Sequence, residues 1–187
     1  MKYLIAGLGN IGDDYEQTRH NVGFEVLDRL ASEGNTEFQL GRLAYTALVK
    51  HRGRTLILVK PTTFVNKSGT AINYWLQKEK INKARLLVVL DDLALPFGTL
   101  RMREKGNDGG HNGLKNINNM LATQNYPRLR FGIGDGFMKG QQVDFVLSSW
   151  TEEETKELNV RLEMAINMVH SFCTLGVDRT MSEYNNK

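Results

Sequence analysis

The most apolar run of the chain, residues 86–90 with the sequence Leu-Leu-Val-Val-Leu, constrains the fold more than any other stretch. A strand that is apolar at every position is typical of a strand covered on both faces. Such a strand needs helices on each side of its sheet. The run therefore predicts the central strand of an α/β sheet, ending at the polar pair Asp91-Asp92.

Strand-like and helix-like patterns alternate along the rest of the chain. Residues 45–50 and 55–60 flank a His-Arg-Gly-Arg turn, which predicts a hairpin and therefore some antiparallel pairing. We predict an α/β fold: a single three-layer α/β/α domain over residues 1–187 with a twisted mixed β-sheet. Further strands are predicted at 3–6, 99–104, 129–133 and 143–147. Helices are predicted from Val22 to a stop at Gly34, along 71–76, from Leu114, and from a capping box at Thr151 to Gly176, while 181–187 is expected to fray or form one turn.

The composition excludes several classes of protein. A single cysteine, Cys173, precludes an internal disulfide and fits a reducing cytoplasm. No apolar run approaches the roughly 20 residues that span a bilayer. The N-terminal apolar stretch ends at Gly7, too early for a signal peptide. With a formal net charge of only +3, any binding of nucleic acid depends on a local basic patch. We expect a cytoplasmic protein with no membrane partner.

Three loops have compositions that favour ligand binding over packing. The sequence Gly109-Gly110-His111-Asn112-Gly113 combines permissive backbone with two hydrogen-bonding side chains. Residues 7–10 with the following His20-Asn21, and residues 61–69, have the same character. Each lies near the end of an apolar run, where open α/β sheets place their sites. We predict that the three loops converge on one pocket.

The common catalytic motifs are absent, so the chemistry has to come from these loops. There is no serine elbow, no nucleotide-binding P-loop and no zinc spacing among the histidines. A neutral histidine can take a proton from water, and asparagine amides can donate to a developing oxyanion. This set suits attack by water on an ester or amide carbonyl without metal, cofactor or covalent intermediate. The candidate residues are the two His-Asn pairs, His20-Asn21 and His111-Asn112, together with Asn10, Asn66 and the strand-end carboxylate Asp91.

Structural roles explain the same residues equally well at this point. Each asparagine can form a local turn through its own side chain, and Asp91-Asp92 can cap the turn that follows. The Gly7-Leu8-Gly9-Asn10-Ile11-Gly12 pattern also imitates a dinucleotide-binding fingerprint. That interpretation requires a helix to begin at the loop, whereas an acidic segment intervenes and the helical pattern starts only after Asn21.

Several long motifs follow one another over nearly the whole chain: Gly7-Leu8-Gly9-Asn10, Arg19-His20-Asn21-Val22-Gly23, residues 60–69, Asp91 with Gly109-Gly110-His111-Asn112-Gly113-Leu114, residues 128–134, and Met181-Ser182-Glu183-Tyr184-Asn185. Together, and in this order, they resemble bacterial-type peptidyl-tRNA hydrolase. The resemblance implies a metal-free, cofactor-free monomer that cleaves the ester between a peptide and the 3′ end of tRNA, with peptidyl-tRNA as its partner.

The resemblance also implies a role for each matching residue. His20 would be the general base, oriented by Asp91, and Asn10, Asn66 and Asn112 would position substrate and stabilise the oxyanion. The remaining positions would shape the pocket or contact the tRNA: Gly110, His111, Tyr15, Phe64, Arg101, Arg103, Lys105 and Arg130.

Two departures from the family pattern accompany the match. Val65 stands where the family more often has methionine, a change that keeps the wall of the pocket apolar. Asp135-Gly136 follows the Gly-Ile-Gly motif, where relatives often carry a basic residue or histidine and a proline, so one edge of the phosphate track is weakened.

The rival interpretations belong to other classes. A non-catalytic RNA-binding relative, of the kind that reuses this fold in intron splicing, would keep the basic strand without needing His20, Asp91 and Asn66. A dinucleotide-dependent oxidoreductase would bind NAD.

Overall fold

Seven strands form one mixed sheet in the computed structural model, which describes residues 1–185. They are β1 (Lys2–Gly7), β2 (Gln39–Leu40), β3 (Ala44–His51), β4 (Arg54–Pro61), β5 (Leu86–Asp92), β6 (Leu100–Arg103) and β7 (Arg128–Gly132). The spatial order is β2-β3-β4-β1-β5-β7-β6. Strands β4, β1, β5 and β7 run parallel, whereas β2, β3 and β6 pair antiparallel with their neighbours. The predicted hairpin is the β3–β4 pair.

Helices cover both faces of the sheet and confirm the predicted α/β architecture. They are α1 (Val22–Glu33), α2 (Ser68–Glu79), α3 (Asn112–Leu121), α4 (Gln142–Val146), α5 (Glu152–Leu175) and α6 (Val177–Tyr184). The capping box at Thr151 opens α5 as predicted, and Gly176 follows its last residue with a φ of 88°. None of the helices in the described part of the chain is long and apolar enough to cross a bilayer.

The apolar run of β5 has the double-sided burial that its sequence predicts. Leu87 and Val89 belong to the core beneath α1 and α5, while Leu86, Val88 and Leu90 belong to the core beneath α2 and α3. Since successive strand residues point to opposite faces, one strand contributes to both cores. The strand ends at Asp91 and Asp92, which reach the edge of the sheet where β1 and β4 also end.

The prediction of a strand at residues 143–147 is wrong, because this segment contains the short helix α4. Its apolar residues Val143, Val146 and Leu147 are spaced i, i+3 and i+4, which places them on one side of a helical turn. All three line the pocket described below. In the sequence, the apolar residues Val143, Phe145 and Leu147 stand at every second position, and this spacing is also typical of a strand.

The C-terminal segment forms a longer helix than predicted. Residues 177–184 make α6, and the prediction for 186–187 lies outside the described residues. Thr180 is buried against Ser171 with an Oγ–Oγ distance of 2.8 Å. The Asn185 side chain accepts from the Met102 N–H at 2.8 Å and donates to its carbonyl at 3.0 Å. The C-terminal segment is therefore attached to α5 through Thr180 and to β6 through Asn185.

Candidate active site

The three predicted loops meet at one edge of the sheet. Because β1, β4 and β5 are parallel, their carboxyl ends lie side by side, and the loops that follow them share that edge. Asn10, Asn66 and residues 109–112 all line a single pocket of about 910 Å³, together with His20 and Asp91. The predicted convergence is confirmed.

Asp91 lies at the centre of this pocket between two histidines. Its Oδ2 is 2.9 Å from His20 Nδ1, and its Oδ1 is 2.9 Å from His111 Nε2. The imidazole centroids are 5.3 Å apart. Asp91 is only 3% exposed, so both histidines contact a carboxylate that water barely reaches. The sequence predicted the first contact and did not predict the second.

The hydrogen bonds determine which nitrogen of each histidine carries the proton. Gly113 N–H donates to His111 Nδ1 at 3.1 Å, so the proton of a neutral His111 is on Nε2, where it is donated to Asp91. His20 donates from Nδ1 to Asp91, which leaves Nε2 as the unprotonated nitrogen of a neutral ring. His20 lines the pocket, and its Nε2 has no hydrogen-bond partner among the described residues. This nitrogen is available to a ligand.

Electrostatics favour an ionised Asp91 and a more basic His20. Burial alone would raise the pKa of Asp91, but the charges and hydrogen bonds of His111 and His20 outweigh it and hold that pKa well below its usual range. Burial alone would lower the pKa of His20, whereas the Asp91 charge and hydrogen bond reverse the effect and raise it above 6.5. Asp91 and His20 therefore have the charges expected of a carboxylate and the general base that it orients.

Buried neighbours hold the turn that carries His20. Arg19 is 4% exposed and donates to Ser149 O and Glu154 Oε2, each at 2.7 Å. The Arg19 guanidinium also lies 4.5 Å from the Phe145 ring centroid. His20 thus stands on a short 3-10 turn, Arg19–Asn21, whose first residue is anchored to the loop before α5.

Asn21 fixes the loop of Asn10 from the other side of His20. The Asn10 N–H donates to Asn21 Oδ1 at 2.9 Å, and Asn21 Nδ2 donates to Asn10 O at 2.8 Å. The Asn10 Oδ1 accepts from Val65 N at 2.9 Å. Because its oxygen is occupied, Asn10 has its amide nitrogen left to donate into the pocket. This is a long-range contact rather than the local asparagine turn that the sequence left open.

Asn66 and Asn112 also do not form the local side-chain turns that the sequence left open. Both side chains are exposed and have no hydrogen-bond partner in the described part of the chain. The capping role proposed for the strand-end carboxylates belongs to Asp92, whose Oδ1 accepts from Ala94 N at 2.8 Å. Within residues 1–185 the hydrogen bonds of the Asp91 carboxylate are those with the two histidines. The two neighbouring aspartates therefore have different functions.

The same three side chains are the set, among residues 1–185, whose donor atoms lie close enough to suggest a metal site. One ligand atom from each of His20, Asp91 and His111 lies within 4.8 Å of the others. A metal at His111 Nε2 would require the proton to move to Nδ1, where it would face the Gly113 N–H. Two donors would then oppose each other, so hydrogen bonding suits this arrangement better than metal ligation.

The predicted RNA-contacting residues divide into two groups. Arg103, Lys105 and Arg130 line the pocket, and Arg130 Nε also forms an ion pair with Asp92 Oδ2. Arg101 lies opposite Arg130 in the sheet but outside the pocket lining.

The remaining predicted pocket residues also differ in position. Tyr15 is half-buried in a 3-10 turn and does not line the pocket. Phe64 lines it with 61% of its surface exposed, whereas the adjacent Val65 is buried beneath it at 4%. Gly110 belongs to the lining loop and has a φ of 84°.

Sequence reasoning gave no role to Arg19 and Arg128, and it included Asn21 only as part of a His-Asn pair, although all three residues shape this site. Arg128 lines the pocket although it is only 2% exposed. Asn21 stands in a His-Asn pair that drew attention, but its bonding to Asn10 joins residues eleven apart through a turn. Their polar side chains were a signal in the sequence, but their hydrogen-bond partners could be identified only in the folded structure.

Comparisons with known proteins agree with the family resemblance of the sequence motifs. A sequence model of the family described as peptidyl-tRNA hydrolase matches residues 4–187. Peptidyl-tRNA hydrolases of Cytophaga hutchinsonii and Bacteroides fragilis are 58% and 55% identical to this chain, with 100% of both proteins covered. The crystal structure of peptidyl-tRNA hydrolase from Acinetobacter baumannii has a TM-score of 0.92 at 29% identity and covers 98% of this chain and 94% of that one. The chain belongs to the peptidyl-tRNA hydrolase family.

Proposed function

We propose that this enzyme hydrolyses the ester between a peptide and the 3′ end of tRNA, with His20 as the general base. The observation that carries the proposal is the bond between His20 Nδ1 and buried Asp91, which leaves Nε2 free at the pocket. Membership of an ester-hydrolase family supplies the reaction class. Peptidyl-tRNA hydrolysis would recycle tRNA from products released by stalled ribosomes.

The proposed reaction begins with a water molecule between His20 Nε2 and the ester carbonyl. His20 takes a proton as the water oxygen bonds to the carbonyl carbon, and Asp91 stabilises the resulting imidazolium. The carbonyl oxygen becomes an oxyanion. When the intermediate collapses, the C–O bond to the ribose breaks, and the His20 proton passes to the leaving 3′-hydroxyl group. The products are the free peptide acid and the tRNA.

Amide groups are proposed to hold the substrate during this reaction. Asn10 has its amide nitrogen available because Val65 N–H occupies its oxygen. Asn66 and Asn112 line the same pocket, and their side chains have no hydrogen-bond partner within residues 1–185. A donor that is already held in place, as Asn10 is, stabilises an oxyanion more effectively than water, because it needs no reorganisation. We assign the three asparagines jointly to carbonyl positioning and oxyanion stabilisation.

The basic side of the pocket is proposed to hold tRNA phosphates. Arg103, Lys105 and Arg130 lie there together, although the whole chain has a net charge of only +3. Phosphate contacts position a nucleic acid without reading its sequence, which suits an enzyme that acts on many tRNAs. Arg101 would extend this track at the edge of the sheet, and Tyr15 would contact the 3′ end outside the pocket.

The remaining proposals concern the state of the enzyme. We propose a metal-free reaction, supported by the His111 tautomer that Gly113 imposes. We also propose that the chain acts in the cytoplasm as a single-domain monomer. A single family model spanning residues 4–187 supports the single domain, and sedimentation velocity tests the monomer.

A comparison of two substrates tests the proposed function. The enzyme is incubated with N-acetyl-aminoacyl-tRNA and, separately, with aminoacyl-tRNA whose α-amino group is free. We expect release of the acyl group from the first substrate only. Binding of both tRNAs without release would instead favour the non-catalytic RNA-binding function.

A further inference from the structure

Arg128 is a buried cation that interacts electrostatically with Asp108 but forms no ion pair with a carboxylate among residues 1–185. Its side chain is 2% exposed. The guanidinium lies 4.3 Å from the Tyr126 ring centroid, and its Nε has no hydrogen-bond partner. Burying an unpaired charge is costly, so a site that retains one has to satisfy it in another way.

Main-chain carbonyls provide this compensation. Arg128 Nη1 donates to Gly106 O at 2.9 Å and to Asn107 O at 3.3 Å. Its Nη2 donates to Gln124 O at 2.8 Å. One planar guanidinium therefore bridges the segment before β7 and the middle of the loop at residues 104–110.

This loop has little else to hold it in place. Gly106, Gly109 and Gly110 have φ values of 155°, 59° and 84°, and most of the loop is exposed. Segments with exposed backbone and few apolar contacts open easily. Asp108 makes only local turn bonds, accepting from Gly110 N at 2.8 Å and from His111 N at 3.0 Å. The middle of the loop is joined to the segment at 124–128 by three bonds: the two from Arg128 and one from Gly106 N to Gln124 O at 3.4 Å. Arg128 therefore supplies two of these three bonds.

Both ends of the loop carry residues of the proposed reaction. Lys105 lies immediately before the anchored glycine, on the basic side of the pocket. Asp108 turns the chain by accepting from Gly110 N at 2.8 Å, and the next residue is His111, which donates to Asp91. A shift in the middle of the loop would move both ends.

We propose that Arg128 is a positioning residue that fixes loop 104–110, so that Lys105 meets the RNA and His111 meets Asp91. The inference rests on the proposed function. Arg128 acts through the loop rather than on a phosphate, because its terminal nitrogens are already bonded to carbonyls.

Two substitutions separate positioning from charge. Arg128→Lys keeps the charge, and lysine binds phosphate well, but one ammonium group cannot reproduce the bridging geometry of the guanidinium. Arg128→Met removes charge and donors while keeping an unbranched stem. The matched control is Arg54→Met at the opposite end of the sheet, where Arg54 donates to the carbonyls of Arg52 at 2.9 Å and Thr174 at 3.3 Å.

The experiment measures kinetics on N-acetyl-aminoacyl-tRNA and hydrogen exchange of residues 104–111 for wild type and the three variants. We expect both Arg128 variants to lose about tenfold or more in kcat, with faster exchange in the loop, because small displacements of catalytic groups are costly. Both Arg128 variants should also raise KM, because Lys105 moves with the loop, and Arg54→Met should leave kcat, KM and loop exchange unchanged.

The outcomes are distinguishable from failure of the proposed function, which would show as an inactive wild type. Wild-type kcat and loop exchange in Arg128→Lys would overturn the proposal, as would an equal loss in Arg54→Met. If Arg128→Met fails to fold, Arg128→Lys alone decides, since its loop exchange is measurable whether or not activity survives.

Discussion

The two histidines on Asp91 lead to a specific prediction for its replacement by asparagine. The carboxylate accepts a hydrogen bond from each ring, whereas an asparagine side chain offers one acceptor and one donor group. His111 cannot exchange its proton between nitrogens, because Gly113 N–H occupies its Nδ1. In Asp91→Asn the new oxygen should therefore face His111 and the NH₂ group should face His20. The His20 proton then moves to Nε2, and the base is lost.

The expected loss is large and depends on His111. An amide behind a catalytic histidine costs about 10⁴ in kcat elsewhere, which corresponds to about 5.5 kcal/mol. His111→Ser removes the competing donor but keeps a side-chain acceptor for Gly113 N–H. The amide of Asp91→Asn can then turn its oxygen to His20. Because an unpaired buried donor costs about 1–3 kcal/mol, Asp91→Asn should be about 5- to 150-fold less damaging in this background.

The assay is a double-mutant cycle in kcat/KM for N-acetyl-aminoacyl-tRNA, measured across pH. Loss of the Asp91 charge should lower the pKa of His20, so the acid limb of both Asp91→Asn profiles moves to lower pH. Melting temperatures establish that all four proteins are folded. Equal costs of Asp91→Asn with and without His111 would refute the tautomer argument, and an unmoved limb would show that Asp91 does not hold His20.

Three further predictions follow from other contacts. Arg130→Gln should raise KM for all tRNAs and flatten the dependence of log KM on log salt by about one unit, because one phosphate contact is lost; an unchanged slope would identify a solvated surface residue. Asn21→Ala breaks both main-chain bonds to Asn10 and should lower kcat by about tenfold, with unchanged tRNA affinity in a filter-binding assay. Burial raises the pKa of the Cys173 thiol to about 12, so an aromatic disulfide reagent at pH 8 should label the unfolded protein and leave the folded one unlabelled.

The sequence predicted elements whose signals are local. The apolar run of β5 and the capping box and terminal glycine of α5 predicted those elements because each pattern has one dominant physical explanation. The sequence pattern of residues 143–147 fits both a strand and a helical turn. In the structure the segment is helical, and its apolar residues line the pocket. Helix α6 depends on packing against α5 and β6, which no local pattern contains.

The contacts of the candidate site also divide into those that local sequence patterns predicted and those that depend on the fold. Residues such as His20 and Asn10 were predicted because short loops rich in glycine, histidine and asparagine follow strands, and parallel strands bring such loops together. The second histidine bond on Asp91 and the bonds from Arg128 to the carbonyls of Gly106 and Asn107 join residues twenty or more apart through the fold. Those pairings depend on the register of β5, β6 and β7, which no local pattern in the sequence shows.

The central claim is that His20 removes the proton from the attacking water. The most direct measurement is single-turnover hydrolysis of N-acetyl-aminoacyl-tRNA by His20→Ala, alongside its affinity for uncleaved substrate. We predict a rate lower by about 10²–10⁴, with affinity and melting temperature close to wild type. A rate within about tenfold of wild type would contradict the account, because loss of a general base costs more than that.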